Sequence, residues 1–559
     1  MMRTLFTPDM IYKCRELGGR RFYNMSTEYD WVKKNAFAYP KKEALVDTLY
    51  GVEASKRRRK TWPQALSDIN LHIFNLMEAG LFKGEMLICQ LPNCIEHYYA
   101  FIAASKIGCW FLSNHVDFGQ TETKGILEHV KPTIAIIVAD WHGRDIARWY
   151  KEYQKQHPEL KKIYVVGENV PEGTESVSEL LNPKIMEKFI PEDLDALKVG
   201  VYDPWLILET SGSTGLPKLV VHGSYYFQTF MGSYSEKANF TSRDRTLLFG
   251  PLSGTAGKAY VWMPLHVGAT VVFQTHYSDE SALLLTEEEK ITVWGGVPAL
   301  GERALLGSFA EKYDLSSLIK FASAGGPISK EISSLLIDKG VKVINAYGTT
   351  ESGGIASLNY WMNKDELLHT IGTPPAGHKI VLVDSEGNEV PQGDIGEVYI
   401  WSMHHGYYNQ PEYQAEAWIE GGKWKGYQRT GDLGKFDERG HLVLSGRSKD
   451  MILRGALNIF PREIEEILIT HPKISQVAIV KMPDPVLHER ACAFVALNEG
   501  EQLTLGEVAT FLGNKGLAKM KYPERIEIID EIPFGVAGKI DKLKLEKLIA
   551  KKIKEESCQ

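Results

Sequence analysis

Short apolar runs and helical apolar spacings alternate along most of the chain. Residues 43–47 form an apolar run of strand length. Trp62, Leu66, Ile69, Ile73 and Leu76 then recur at helical spacing, and Gly80 stops the helix. Residues 86–90 predict a second strand, and 131–139 a third. Between them Asn93 is placed to cap a helix running to about Gly108. After a polar stretch near 166–200 the alternation resumes, with strands predicted at 205–209, 269–274, 291–294, 319–323 and 341–345. Alternation of this kind implies an α/β fold, a doubly wound sheet with helices on both faces.

From about 376 the pattern changes. Strands predicted at 379–384 and 396–401 flank a Gly/Asn/Pro-rich turn, as in a small β-barrel or an antiparallel sheet. A patch dense in glycine and charge follows at 430–450. Beyond it the pattern is compact α+β: a helix at 463–470, strands at 477–482, 491–497 and 525–529, and an amphipathic basic helix from Asp541. The expected domains are therefore 1–446 and 447–559. No internal repeat or low-complexity segment interrupts them.

Composition narrows the class. The 559 residues are 44% hydrophobic and 24% charged, with a net charge of -7. Such a chain has room for roughly two to four domains with cores of their own. An acidic balance argues against nucleic acid as a partner. The one basic run, Lys56-Arg57-Arg58-Arg59-Lys60, reads as a solvated edge just before a helix. Six cysteines, Cys14, Cys89, Cys94, Cys109, Cys492 and Cys558, show neither metal-ligand spacing nor a disulfide framework. No apolar run is long enough to span a bilayer, and the first twenty residues lack the apolar core of a signal peptide. A reduced, cytoplasmic enzyme is the expectation. Its oligomeric state, monomer or homodimer, stays open.

The densest chemical motif is Thr210-Ser211-Gly212-Ser213-Thr214-Gly215-Leu216-Pro217-Lys218, directly after a predicted strand. Small hydroxyl residues and glycines let backbone N–H groups approach phosphate oxygens, and Lys218 supplies positive charge. It is not the common P-loop, because Pro217 precedes the lysine and Leu219 follows it. Four further motifs follow in order: Asn345-Ala346-Tyr347-Gly348-Thr349-Thr350-Glu351, Tyr427–Asp432 (YQRTGD), Ser445–Asp450 (SGRSKD) and Pro533–Ile540 (PFGVAGKI).

Together these five motifs resemble those of the adenylate-forming superfamily, which includes acyl-CoA synthetases, luciferases and peptide-synthetase adenylation domains. The resemblance covers nearly the whole chain and lies nearest to medium-chain or aromatic and alicyclic acid:CoA ligases. It implies a large N-terminal region of two doubly wound sheets plus a small β-barrel, and a small mobile α+β C-terminal lid. It also implies ATP, Mg²⁺ and coenzyme A as cofactors or co-substrates. Residue by residue, it makes 210–218 the phosphate loop, and Ala324-Gly325-Gly326-Pro327 the adenine-side loop. Asn345 to Thr349 line the nucleotide, with Tyr347 stacking on adenine. Thr350 donates to the α-phosphate, Glu351 holds Mg²⁺, Asp432 accepts the ribose hydroxyls, and Arg447 donates to ribose or phosphate. Lys539 is the catalytic lysine, bridging two anions as the carboxylate attacks phosphorus. Lys449 is the hinge about which the lid rotates. Arg454, Gly455 and Ala456 belong to the thiol-step loop, where Ala456 stands in place of a usual second glycine.

The acyl pocket is expected between 252–264, 293–298 and 324–349, including Gly325 and Thr349. Trp262 and Trp294 read equally as pocket walls and as core residues. No aspartate lies near Leu252 and Ser253 to pair with an α-ammonium, which argues against a free amino acid. The expected substrate is a short- to medium-chain, alicyclic or benzoate-like acid. The thiol acceptor is coenzyme A or a carrier protein. A luciferase shares the motifs, and a non-catalytic nucleotide sensor would be expected to lose Glu351 or Lys539.

Overall fold

A computed structural model describes residues 26–210, 217–326, 328–454, 457–484, 487–534 and 540–557. Eight strands form one sheet, in the order Gly353–Ser357, Lys342–Thr349, Lys320–Ala324, Val293–Gly296, Arg245–Leu248, Thr270–Phe273, Glu43–Asp47 and Arg58–Thr61. The six inner strands are parallel and the two edge strands antiparallel. A second sheet of seven runs Leu219–His222, Leu206–Glu209, Trp110–Ser113, Met86–Gln90, Ile134–Val138, Lys162–Val166 and Glu175–Ser176. It is parallel except at its first pair. Parallel strands are covered on both faces, so they read as unbroken apolar runs. Ile134–Val138 is buried at every position for this reason.

The chain divides into two compact units, Met1–Ile380 with Ile400–Gln428, and Val381–Tyr399 with Arg429–Gln559. Both large sheets lie in the first. The second holds most of a four-stranded sheet in the order Lys379–Val383, Gly396–Trp401, Tyr427–Phe436 and Leu442–Arg447. Where a small barrel was expected, this order is linear, with no pairing between its outer strands among the described residues. The rest of the second unit is a five-stranded sheet with the helices Pro461–Leu468, Leu505–Asn514 and Lys542–Ser557. The division of the units thus falls ahead of residue 446, with the four-stranded sheet going to the C-terminal side.

Two sequence expectations need correction, and both concern how the large sheets join. Asn93 does not cap the helix Ile95–Ile107. The N-cap is Cys94, which makes no side-chain bond, and the Ile95 N–H donates instead to Asp47 Oδ2 at 3.0 Å. Asn93 is held elsewhere: its amide donates to the Gly250 carbonyl at 3.0 Å and accepts from Leu252 N–H at 2.8 Å. The basic run does lie at a sheet edge just before a helix, but it is only partly solvated: Lys56 and Arg59 are exposed, whereas Arg57 is buried. It leads into the strand Arg58–Thr61, and its arginines face carboxylates. Arg57 is buried and donates to Glu289 at 2.7 Å and to Glu288. Arg58 bonds Asp47 at 2.9 Å and Glu96 at 2.8 Å. Arg59 meets Glu43 and Glu289. A run of like charge tolerates this position because carboxylates from several strands and helices close around it.

The lone thiols Cys89, Cys94, Cys109 and Cys492 are buried and unbridged. Cys14 and Cys558 lie outside the described residues. No helix of the described chain is long and apolar enough to cross a membrane.

Breaking a buried ion pair leaves its partner uncompensated, at a cost of about 3–5 kcal/mol. Arg58→Met strands the carboxylates of Asp47 and Glu96 together, so urea unfolding should show a loss on that order. A second buried carboxyl sets a pH dependence. Glu28 is fully buried, with Ser224 Oγ donating to it at 2.6 Å, and burial pushes its pKa from 4.5 up to about 7. The folded state then holds the proton longer than the unfolded chain. Its contribution is full below pH 4.5 and is lost as pH rises toward about 7. Glu28→Gln should flatten that fall when stability is followed by urea midpoint against pH.

Candidate active site

The antiparallel strands Leu206–Glu209 and Leu219–His222 make the stem of the glycine-rich loop, with Glu209 opposite Leu219. The Thr210 N–H donates to the Lys218 carbonyl at 3.0 Å, so the loop leaves from a closed hairpin base. Gln410 seals that base, accepting from Leu219 N–H at 2.7 Å and donating to the Pro217 carbonyl at 3.2 Å. Ser211, Gly212, Ser213, Thr214 and Gly215 lie outside the described residues. Lys218 pairs with Glu416 at 2.9 Å and lies 4.3 Å from the Tyr413 ring centre.

Adjacent parallel strands bring the next two motifs to one sheet edge. Ser323 and Asn345 sit in register, as do Ala324 and Ala346, and their side chains meet at 3.1 Å between Ser323 Oγ and Asn345 Oδ1. The carboxyl ends of parallel strands are where ligands bind in such sheets. Here they present Gly325 and Gly326 just past the end of one strand, and Tyr347, Gly348 and Thr349 at the end of the next. Pro327 lies outside the described residues. Tyr347 to Thr349 then turn back through Thr350, Glu351 and Ser352 into Gly353–Ser357. The hairpin is close-packed: a Cβ on Gly348 would lie 2.1 Å from the Gly353 carbonyl oxygen, and one on Gly354 would overlap the Phe230 ring.

The turn 350–352 is gripped at every residue. The Thr350 carbonyl accepts from His222 Nε2 at 2.8 Å, and Thr350 Oγ1 is 3.5 Å from Thr255 Oγ1. Tyr407 Oη donates to Glu351 Oε1 at 2.9 Å. Ser352 N–H donates to Thr349 Oγ1 at 3.1 Å, and Ser352 Oγ meets Gln428. Sequence reading missed His222, Tyr407, Gln410 and Gln428. His222, Tyr407 and Gln410 lie in none of the five motifs, Gln428 lies within YQRTGD but was given no role, and each acts across 56 or more residues of chain. With Oε1 engaged by Tyr407, the half-buried Glu351 carboxylate keeps Oε2 for a hard cation. One carboxylate plus phosphate oxygens is the donor set Mg²⁺ takes, so the residues fit that ion.

The three stretches expected around the acyl group also come together. A Cβ on Gly295 would lie 2.9 Å from Tyr260 Cβ, and one on Gly325 3.7 Å from Val297. Lys258, fully buried, donates to the Leu252 and Ser253 carbonyls at 2.9 Å each. Trp294 is buried in the core between Phe249 and Phe321, with its N–H given to Thr286 at 2.7 Å. Trp262 is buried against Phe227 and His266.

In the second unit, Arg447 Nε donates to Asp432 Oδ1 at 3.0 Å. Gly431 N–H donates to Glu397 at 3.1 Å. Glu397, Thr430, Gly431, Arg447, Ser448 and Lys449 line a cavity of about 350 Å³. Lys449 is exposed, and its carbonyl accepts from Lys481 at 3.1 Å. Arg454 pairs with Glu524. Gly455, Ala456 and Lys539 lie outside the described residues.

A profile of the AMP-binding enzyme family matches residues 32–408, and one of the AMP-binding enzyme C-terminal domain matches 463–539. The chain belongs to the AMP-binding enzyme family. As a member of it, the protein is an ATP-dependent, acyl-adenylate-forming ligase. A medium-chain fatty-acid–CoA ligase of Escherichia coli K12 is 30% identical over 95% of this chain and 92% of its own. Among solved structures, the anthranilate CoA ligase AuaEII with anthranoyl-AMP shares the fold at TM-score 0.82. It is 23% identical over 95% of this AMP-binding enzyme and 98% of its own chain. The amide bond synthetase McbA of Marinactinospora thermotolerans does so at 0.79, with 23% identity over 93% and 99%.

Tyr407→Phe frees Glu351 Oε1 without changing the hairpin. Loss of a hydrogen bond to a charged group should raise the Mg²⁺ needed for half-maximal AMP formation roughly fivefold or more. An unchanged Mg²⁺ requirement would separate Glu351 from the cation.

Proposed function

We propose that this enzyme joins a short- to medium-chain, alicyclic or benzoate-like carboxylic acid to coenzyme A. The similarity to the Escherichia coli medium-chain fatty-acid–CoA ligase over nearly the full length of both chains carries this reading. In the first half-reaction a carboxylate oxygen attacks the α-phosphorus of ATP. The new O–P bond forms as the bond to pyrophosphate breaks. In the second, the coenzyme A sulfur attacks the acyl carbon, the C–S bond forms and AMP leaves.

Each proposed role has a physical basis. Tyr347 offers a flat face to adenine, beside Asn345 and the Gly325–Gly326 turn. Thr350 donates to the α-phosphate, and Glu351 would hold Mg²⁺, which when bound offsets phosphate charge. Asp432 accepts from ribose hydroxyls, with Arg447 fixing its carboxylate. Lys539, in the Gly538-Lys539 motif, draws carboxylate and phosphate together and neutralises the charge that builds as they meet. Residues 447–559 rotate about Lys449 between the half-reactions, and Arg454, Gly455 and Ala456 line the thiol's approach.

The buried Lys258 bears on the acid. Its ammonium sits on the carbonyls of Leu252 and Ser253, where an enzyme for amino acids would need an anion. A substrate α-ammonium there would meet a like charge. Burial lowers the pKa of Lys258, so its charge is already costly, and a second cation would add to that cost.

The test is CoA-dependent AMP formation with acetate, butyrate, hexanoate, octanoate, benzoate, cyclohexanecarboxylate and several amino acids. AMP and acyl-CoA with one subset of the non-amino acids is expected. Pyrophosphate exchange without any acyl-CoA would replace coenzyme A by a carrier-protein thiol, and inactivity with every acid would point to a nucleotide sensor. Lys539→Ala should lose adenylation by about 100-fold or more while transfer from a preformed acyl-adenylate to coenzyme A persists. Equal loss in both steps would remove Lys539 from its assigned role.

A further inference from the structure

His222 closes the strand that leaves the glycine-rich loop, four residues beyond Lys218. Positions 218, 220 and 222 share one face of that strand and together span about 13 Å. Each finds a different partner. Lys218 meets Glu416 and Tyr413, and Val220 packs with Tyr407, Ala417 and Trp418. His222 reaches the turn between Lys342–Thr349 and Gly353–Ser357 and bonds the Thr350 carbonyl at 2.8 Å.

The chemistry of that bond fixes the imidazole. A carbonyl oxygen can only accept, so Nε2 carries the proton. Nδ1 has no hydrogen-bond partner among the described residues, so the one N–H of the neutral ring is committed to Thr350. The ring is fully buried and lies 3.8 Å from the Tyr226 ring, centre to centre, which blocks sideways movement. Burial holds its pKa near 3, so the imidazole is neutral at ordinary pH.

The Thr350 carbonyl needs such a donor because strand pairing ends before it: Thr349 pairs with Gly353, and residues 350–352 form the turn. Tyr226 Oη also reaches this carbonyl, but at 3.5 Å, the outer limit of a hydrogen bond, so the imidazole at 2.8 Å is the nearer and stronger donor. Its neighbours are the Thr350 hydroxyl and the Glu351 carboxylate, both assigned above to the nucleotide.

We propose that His222 is a positioning residue for adenylation, locking the Thr350–Glu351 turn to the strand that carries Lys218. It rests on the proposed roles of Thr350 and Glu351. The imidazole touches no substrate. It sets the distance between the loop that receives the phosphates and the turn that supplies a hydroxyl and a carboxylate to them. The acyl-transfer step, in which no phosphorus bond is made, does not depend on it in the same way.

The test compares His222→Met with His222→Gln. Methionine fills the space without a donor, whereas the glutamine amide reaches nearly as far as Nε2 and keeps an N–H. Two half-reactions are measured: ATP–pyrophosphate exchange with the best acid of the panel, and transfer from a synthetic acyl-adenylate to coenzyme A. His222→Met should lower kcat/KM for ATP in exchange about tenfold, with transfer changed less than twofold, and His222→Gln should recover most of the loss. If His222→Met does not fold, His222→Asn, polar but too short to reach the carbonyl, takes its place against glutamine. Equal loss in both half-reactions, no advantage of glutamine, or a fully active methionine variant would each overturn the assignment. Failure of the function itself looks different, because the wild-type enzyme would then show no exchange with any acid.

Discussion

Asp47 is a carboxylate with no exposed surface at the end of the strand Glu43–Asp47, and the first unit closes around it. Both oxygens accept from the Arg58 guanidinium, and Oδ2 also takes the free N–H at the start of the helix Ile95–Ile107. Glu96, on the same helix, binds the other side of Arg58. A strand of the eight-stranded sheet is thereby tied to a helix that follows a strand of the seven-stranded one. A buried charge is tolerated only with its partners in place, so this knot permits little variation in how the sheets meet.

The same short segment reaches toward the chemistry. Asn93, two residues before Ile95, clamps the loop Gly250–Leu252, and Thr275 Oγ1 donates to its carbonyl at 2.8 Å. Lys258 grips the loop from its other side. Thr255, at the head of the following helix, stands beside Thr350. The fold delivers the site through such clamps more than through strand placement alone, because loops at a sheet edge have no ladder of their own to fix them.

Much of this was legible in the sequence, and the parts that were not share a cause. Runs such as 86–90 and 134–138 are buried on both faces, so their composition alone marks them as strands. The five motifs announced the family because each is continuous. Asn93 looked like a cap because sequence shows only its neighbours, whereas its partners stand 157 and 159 residues away. The arginine run looked solvated because Asp47, Glu96, Glu288 and Glu289 are scattered. The return strand Leu219–His222 is only four residues long, directly after a glycine-rich loop. It offers too little pattern to separate it from that loop, and with it the role of His222 was hidden.

The register of the first strand has a consequence for how the molecule is made. Leu45 pairs with Val271, so the hairpin containing Asp47 emerges from the ribosome some 226 residues before its parallel neighbour. At about 5–20 residues per second, that is a wait of roughly ten seconds or more. All seven strands of the other sheet, ending at His222, appear within that interval. A nascent chain can therefore assemble the seven-stranded sheet first, with Asp47, Arg58 and Glu96 already able to meet. The early hairpin would then be held against that sheet's helix until the strand Thr270–Phe273 arrives to pair with it and extend the eight-stranded sheet.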